Sequence, residues 1–481
     1  MEYLLSNKDI DRRVFIKGIG FVSVSLLLGT LLGGCESCIE AIKKRPTRRR
    51  LRTGSAEVDA DIETYREAVS LMKGLPSGDP RSWNNQAGIH GTVSGGFNFC
   101  EHGTDHFFSW HRGYLFYFEK ICQKLTGNAD FGLPYWNWNQ NPDINPAFLN
   151  AASPLFHPRG NTSMAGVGAV STPTLDPIFS DGNFFTFSSQ LEGTPHNTVH
   201  IWIGAGGADM ASGGSALDPI FWTHHCMIDY CWAKWNIELE NDNTNDPTWN
   251  GTSWDHFVDQ DGNPASVTAG PTILMPLLSY QYESSAIGSS GAVLVEKTKS
   301  DFKRLEKRLK EGADVKFEIK QRIPIADGAA ISIGRPFSKE TQVSVQDFSR
   351  LINSDINKEN IFASIEYAQL PPTSDFYVRV FMNMPTANVN TPTDDPHYAG
   401  SFAFFGTHTE GKTKHQDKLN FLVNITNTLK KLRQIGELKD NSRISVQLVA
   451  VPVLGQFEKP DTELILEKIE LIVTPVIVRG K

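Results

Sequence analysis

Apolar side chains recur along this chain with two different periods, and the change between them divides it. Ile62, Tyr65, Val69 and Met72 share one helical face, in a run that stops at Gly74 and Pro76. An aromatic stretch with Trp110, Tyr114, Phe116, Tyr117 and Phe118 reads as a second helix. Pro219 suits the first turn of another, to which Trp222, Ile228 and Trp232 give an apolar face. From Asn139 to Glu192, Pro, Gly, Asn and Ser predict long loops of the kind that shape a pocket mouth. From Asp314 onward the period becomes two. KFEIKQRIPI, AAISIGRPF, NIFASIEYAQL, DFYVRVFMNM, AGSFAFFG, RISVQLVAVPV and ELILEKIELIV alternate apolar and polar residues between turn signals, which predicts a β-sandwich of seven or more strands. The expected fold class is α+β multidomain: a mainly α domain at 56–283, a linker at 284–313, and an all-β sandwich domain at 314–481. The small polar stretch Ser284 to Gly291 is the expected flexible joint.

The first 55 residues fit neither period. Asp11-Arg12-Arg13-Val14-Phe15-Ile16-Lys17, followed by the apolar run Ile19 to Leu32, reads as a twin-arginine export signal over residues 1–35. That run is too short to span a bilayer comfortably. It ends Leu32-Gly33-Gly34-Cys35, which looks like a lipoprotein cleavage box with Cys35 as the acylated residue, so a periplasmic or lipid-anchored envelope location is expected. Residues 36–55 carry Lys43, Lys44, Arg45, Arg48, Arg49, Arg50 and Arg52 with almost no apolar content. They are expected to be a solvated basic linker, not a nucleic-acid site, and to reach anionic headgroups if Cys35 is acylated. With 40% hydrophobic and 21% charged residues in 481, a sizeable core is available to two domains. Six cysteines in that length make no disulfide framework. A net charge of −8 argues against polyanionic partners and says nothing against neutral small molecules.

The candidate chemistry lies in two histidine sets. In TPHNTVHIWIG, His196 and His200 sit four apart, and on a helix that spacing puts both imidazoles on one face. ALDPIFWTHHCMIDYCWAKW supplies His225 as a third. Upstream, NQAGIHGTVSGGFNFCEHGTDHFFSWHRGYLFYFEKI supplies His90, His102 and His111. Two imidazole-only triads on separate helix pairs predict a four-helix bundle around a dinuclear metal centre. Neither pair carries the Glu-x-x-His of carboxylate-bridged di-iron sites, and zinc would more often recruit Cys or a carboxylate, so imidazole alone favours copper. His224 adjoins His225, and adjacent helix positions point about 100° apart, so only one of the two can face the metal. His157, His256, His397, His408 and His415 have no such context.

The segments MKGLPSGDPRSWNNQAGIH, HFFSWHRGYLFYFE, LPYWNWN, PHNTVH and DPIFWTHH, in this order, resemble the tyrosinase and polyphenol oxidase family of type 3 copper proteins over roughly Ile62 to Glu283. Tyr280-Gln281-Tyr282 resembles the tyrosine motif that closes the plant catalytic domain, and DFYVRVFMN, more weakly, the KFDV-type motif of the plant C-terminal domain. The resemblance selects His102 over the nearby His106. It implies two copper ions, one on His90, His102 and His111 and one on His196, His200 and His225. It further implies a polyphenol oxidase that uses dioxygen to hydroxylate monophenols in the ortho position, or to oxidise catechols to o-quinones.

Finer roles follow from the same resemblance. Cys100 is expected to be joined to His102 by a thioether. Glu192 and Asn197 are expected to hold a water that takes the phenol proton. Gly213 and Gly214 lie where plant members place a bulky Phe over the first copper, so an open substrate gate is expected there. The C-terminal domain is expected to act as a lid that inserts a side chain from Phe402, Phe404 or Phe405. Tyr230 stands where the family often has Arg, which puts the usual salt-bridge network of that helix in question. The competing readings are a catechol or o-aminophenol oxidase without monophenolase activity, a haemocyanin-like oxygen carrier, and a zinc hydrolase. Oligomeric state is left open.

Overall fold

The computed structural model describes residues 45–475 apart from 95, 284–290, 312–317, 354–358, 372, 374, 406–418, 439–442 and 458. The export segment, Cys35, Lys43, Lys44 and most of the expected joint lie outside the described residues. No described helix is long and apolar enough to cross a membrane.

The helical half is organised by α1 (Ala56–Gly74), α2 (Trp83–His90), α3 (Phe107–Thr126), α4 (Phe184–Leu191), α5 (Asn197–Ile203) and α6 (Pro219–Ala233). The periodic face of α1 is buried at Val58, Ile62, Tyr65, Val69 and Met72. Asp218 caps α6 by accepting from the Ile220 amide, one residue beyond the Pro219 that opens it. Phe118 of α3 lies flat against Trp222 of α6, with ring centroids 3.5 Å apart, and Phe108 stacks on Trp232 at 5.2 Å. Such aromatic pairs contribute about 0.5–1.5 kcal/mol each beyond area burial, and here they fix the spacing of α3 and α6. Helix α4 runs into α5 through a π-helical turn at Glu192–His196. Pro195 sits inside that turn and has no amide hydrogen to give, so the ladder widens there.

Two expected linkers are folded parts of this half. Thr47–Arg48 (β1) pairs in parallel with Gln281–Tyr282 (β2). Arg45 and Arg48 are buried, at 5% and 0% exposure, so the solvated-linker reading of 36–55 is corrected where the segment is described. Arg48 donates to Glu119 of α3 at 2.8 Å and to Asp229 of α6 at 3.0 Å, and its guanidinium lies 3.6 Å over the Tyr280 ring. Arg112 pairs with the other oxygen of Asp229, and the Tyr280 and Tyr282 hydroxyls also donate to that carboxylate. This is the network that Tyr230 put in question. Its second cation comes from Arg48 of the N-terminal strap, while Tyr230 stacks on Tyr135 at 4.9 Å. Within the expected 284–313 linker, α7 (Gly291–Glu311) packs Phe302 and Leu305 into the helical core and ties Arg308 to Asp242 at 3.0 Å. The helical unit therefore extends past residue 283.

The second half is the expected β-sandwich. Its strands are β3 (Gln321–Ser332), β4 (Phe337–Gln342), β5 (Glu359–Tyr367), β6 (Phe376–Met382), β7 (Tyr398–Phe402), β8 (Leu419–Asn424), β9 (Arg443–Pro452) and β10 (Glu463–Pro475). Two four-stranded antiparallel sheets form, in the orders β7-β6-β9-β4 and β8-β5-β10-β3. Their inner faces meet at Ile365, Tyr367, Val380, Phe402, Phe404, Leu448 and Leu471.

The sandwich is seated on the helical half at the π-turn. The Ala403 amide donates to the Gly193 carbonyl at 3.0 Å, Thr194 Oγ1 to the Ser401 carbonyl at 2.7 Å, and Asn197 Nδ2 to the Ala403 carbonyl at 2.8 Å. Ile201 and Ala205 share an apolar cluster with Tyr377, Ala403 and Val453 beside these bonds.

Candidate metal centre

His90, His111, His196, His200 and His225 are buried at 2% exposure or less, and His102 at 5%. Packing decides which nitrogen of each ring is bare. The Nδ1–H groups of His90, His111 and His200 donate to the carbonyls of Gly213, Phe107 and Met210 at 3.0, 2.7 and 2.8 Å. That of His196 donates to Asn197 Oδ1 at 2.8 Å. A neutral imidazole with its hydrogen on Nδ1 carries a lone pair on Nε2, the form that binds a metal. The Nε2 atoms of His90, His111 and His196 have no hydrogen-bond partner among the described residues. Nε2 of His200 and Nε2 of His225 face each other at 3.2 Å. That is close to the separation of two nitrogens sharing one ion at about 2.0 Å.

Burial keeps the rings neutral. Desolvation lowers His90 to about 4 and His196 to about 3, against opposing hydrogen bonds from Gly213 and Asn197. For His102, His111, His200 and His225 desolvation and the neighbouring imidazoles act in the same direction. Six neutral imidazoles with converging nitrogens and no carboxylate among them form a donor set that fits copper.

The six are placed by unlike elements. His90 is the last residue of α2, His111 lies on α3, His196 ends the π-turn, His200 lies on α5 and His225 on α6. His102 comes from the loop before α3, so the first triad stands on two helices and a loop. Ligand-capable atoms group as His90 with Cys100 and His102, as His90 with His111 and His225, and as His196 with His200, His224 and His225. His111 and His225 stack at 4.4 Å where the groups meet.

His224 lies in the last of these groups, and its Nε2 has no hydrogen-bond partner among the described residues. Its Nδ1 accepts the Trp138 indole hydrogen at 3.2 Å, which puts the ring's own hydrogen on Nε2. His106 precedes α3 as its N-cap and stacks on Trp249 at 5.5 Å. His256 accepts from the Trp110 indole at 2.9 Å.

Cys100 Sγ lies 3.2 Å from His102 Nδ1, and Phe97 stacks on that ring at 4.3 Å. Glu192 is buried, accepts the Gly103 amide at 2.7 Å, and is pushed up to about 8, chiefly by desolvation. Gly213 and Gly214 are buried too, and the open gate expected there is corrected. A Cβ on Gly213 would lie 2.3 Å from the Gly96 carbonyl oxygen, and one on Gly214 would lie 2.6 Å from Val93 Cγ2. These glycines let the backbone approach the 91–97 hairpin and present the carbonyl that orients His90.

The opening lies on another side. A cavity of about 210 Å³ between the two halves is lined by His102, Asp105, Ser188, Glu192 and Asn197 from the helical half, and by Phe405 among others from the sandwich. Phe402 and Phe404 are inside the sandwich. Phe405 is not. Its ring stacks on His200 at 3.9 Å and stands 5.3–5.6 Å from the rings of Phe97, His102 and His196.

Sequence reasoning missed the Arg48–Glu119–Asp229–Arg112 network as a support of this centre. The available signal was local: Asp229 follows His225 by one helical turn, and Arg112 adjoins His111.

Known proteins share both halves. Residues 80–176 and 161–238 match the common central domain of tyrosinase, and residues 337–460 match the chloroplastic polyphenol oxidase C-terminal domain. Over 294 residues the chain is 30% identical to a tyrosinase of Hahella sp. (strain CCB-MM4), an alignment spanning 47% of this chain and 61% of that one. Polyphenol oxidase B, chloroplastic, of Solanum lycopersicum is 26% identical over 467 residues, which cover 84% of this chain and 74% of the relative. A solved latent aurone synthase (polyphenol oxidase) superposes with a TM-score of 0.63 over 90% of each chain at 22% identity, a likeness of fold.

Proposed function

Because the chain belongs to the tyrosinase and polyphenol oxidase family, we propose that it is a latent copper-dependent polyphenol oxidase. With dioxygen it hydroxylates monophenols in the ortho position and oxidises catechols to o-quinones. Two copper ions would be held, one by His90, His102 and His111 and one by His196, His200 and His225, and when bound they supply the redox chemistry.

The rest belongs to the chain. Oxygen acceptors fix the tautomers of His90, His111, His196 and His200 before any metal arrives, so these four ligands need little reorganisation to bind. Glu192, with Asn197 beside it, holds a water that takes the hydroxyl proton of a monophenol. A phenol pKa near 10 leaves little phenolate at neutral pH without such help. A Cys100–His102 thioether would lock the rotamer of the one ligand carried by a loop. The observation that carries the reading is Phe405: an aromatic ring of the C-terminal domain lies flat on a metal-site imidazole, in the manner of a bound substrate. The same ring accounts for latency, since a phenol cannot occupy its place. Export by the twin-arginine route with acylation of Cys35 belongs to the same reading, and intact mass of the mature N-terminus tests it.

The test of function is metal analysis together with 4-tert-butylcatechol oxidation before and after limited proteolysis. About two coppers per chain and quinone formation that rises on cleavage support the reading. A copper-loaded, cleaved protein that binds dioxygen without forming quinone would establish the carrier instead.

A further inference from the structure

Five of the six candidate ligands stand on helical backbone, whose own hydrogen bonds fix where each side chain leaves it, but His102 stands on the loop that precedes α3. That loop is held from two buried tryptophans, 144 and 153 residues further along the chain than their partners. Trp254, on the hairpin of Ser253–Val258 and Pro264–Thr268, donates its indole hydrogen to Glu101 Oε1 at 2.9 Å. Glu101 Oε2 accepts the Thr104 hydroxyl at 2.9 Å, so this carboxylate closes the turn in which His102 lies. Trp249 donates to the Asp105 carbonyl at 2.7 Å. The His106 ring stacks on Trp249 at 5.5 Å and stands edge-on to Trp254 at 5.3 Å, which packs the two indoles against the end of the loop. Before His102 in sequence, Phe99 stacks at 4.5 Å on His256 of the same hairpin.

A bond between Cys100 and His102 would fix the imidazole relative to its own loop. It would not fix the loop relative to His90 and His111, and the first site needs both. An indole N–H donates and never accepts, so each of these bonds holds the loop in one sense only. We propose that Trp254 and Trp249, acting through Glu101 and the Asp105 carbonyl, are positioning residues for His102 and set the affinity of the first copper site. The proposal rests on the polyphenol oxidase reading and adds to it a support for one ion of the pair. Neither indole hydrogen bond reaches the second triad.

Titration of the full-length apo-protein with copper(I), against a chromophoric chelator, reads both ions without turnover. Trp254→Phe keeps a buried ring and removes the hydrogen. It should weaken one of the two ions by about 10- to 100-fold, the usual effect of losing a support behind a metal ligand, and leave the other nearly unchanged. Glu101→Ala should do the same, and Glu101→Gln, which keeps an oxygen for the indole, should restore most of the affinity. In a His200→Ala background only the first triad is complete, and there the weakening should fall on the single remaining ion. Wild-type affinity for both ions in Trp254→Phe and Glu101→Ala overturns the proposal, even where the melting temperature drops as lost packing alone would make it. So does an equal loss of both ions, or no weakening in the His200→Ala background. A wild type that takes up no copper overturns the polyphenol oxidase reading and this support together. A wild type that holds two coppers and forms no quinone from 4-tert-butylcatechol overturns the oxidase reading alone, and the titration still decides the role of the tryptophans.

Discussion

Replacing Phe405 by Ala should open the site without a protease. In the resting protein this side chain is 7% exposed and rests on His200. Burial of a Phe side chain contributes about 1.5–3 kcal/mol. The hole left by Phe405→Ala opens onto the 210 Å³ cavity, so solvent can enter and the extra cost of an empty void is avoided. The other seating contacts, the hydrogen bonds at Gly193, Thr194 and Asn197 and the cluster around Ile201, remain. The sandwich should therefore stay folded and attached. Treated as an equilibrium between covered and open site, the lost burial shifts it by roughly 10- to 100-fold. Full-length, copper-loaded Phe405→Ala should oxidise 4-tert-butylcatechol faster than wild type by that factor. Limited proteolysis should activate the wild type strongly and the variant little. An oxygen-electrode assay of both proteins, each before and after cleavage, gives the four numbers needed. A rise below about threefold, in a variant with wild-type copper content and melting temperature, would refute the plug.

Arg48→Ala leaves the buried carboxylates of Glu119 and Asp229 short of a cation and should cost about 3–5 kcal/mol in chemical denaturation. A loss under about 1 kcal/mol would return the strap to the status of a linker. His225→Ala should abolish oxidation and lower copper below two per chain, whereas His224→Ala should keep the metal. The reverse pattern in metal analysis would mean that the wrong histidine has been assigned. Glu192 has a folded pKa raised to about 8 from 4.5. Its contribution to stability is therefore full below about 4.5 and lost as pH rises toward 8. Glu192→Gln should remove that part of the pH dependence of denaturation, and superimposable wild-type and variant profiles from pH 5 to 8 would argue against the shift. Asn197→Gly should cut tyramine turnover far more than catechol turnover, since in this reading only the monophenol depends on the held water to take its proton, and equal losses would remove that role.

Much of this was legible because the signals are local. Four-residue spacing placed His196 and His200 together, period-two alternation announced the sandwich, and the order of the histidine segments pointed to the family. Even the placement of Phe405 was half visible. Phe402 and Phe404 share a parity along an extended chain and Phe405 has the opposite one, but parity does not say which side faces the core. The fold decided that, by seating the end of β7 against Gly193 so that the odd ring meets His200.

Tertiary structure alone settled three other points. The seven basic residues of 36–55 read as solvated because nothing near them in sequence could neutralise them. The partners of Arg48 lie 71 and 181 residues away, and its charge can be buried only because folding brings both carboxylates to it. Gly213 and Gly214 read as an entrance because glycine leaves room. Here that room is filled by the backbone of a hairpin more than a hundred residues upstream. The hydrogen that His224 Nδ1 accepts comes from the indole of Trp138, 86 residues away. Residue type and local period determined which groups could bind metal and which segments could form sheet. Where a charge is neutralised, where a glycine is crowded and where an imidazole carries its hydrogen depend on neighbours distant in the chain, and those only the fold supplies.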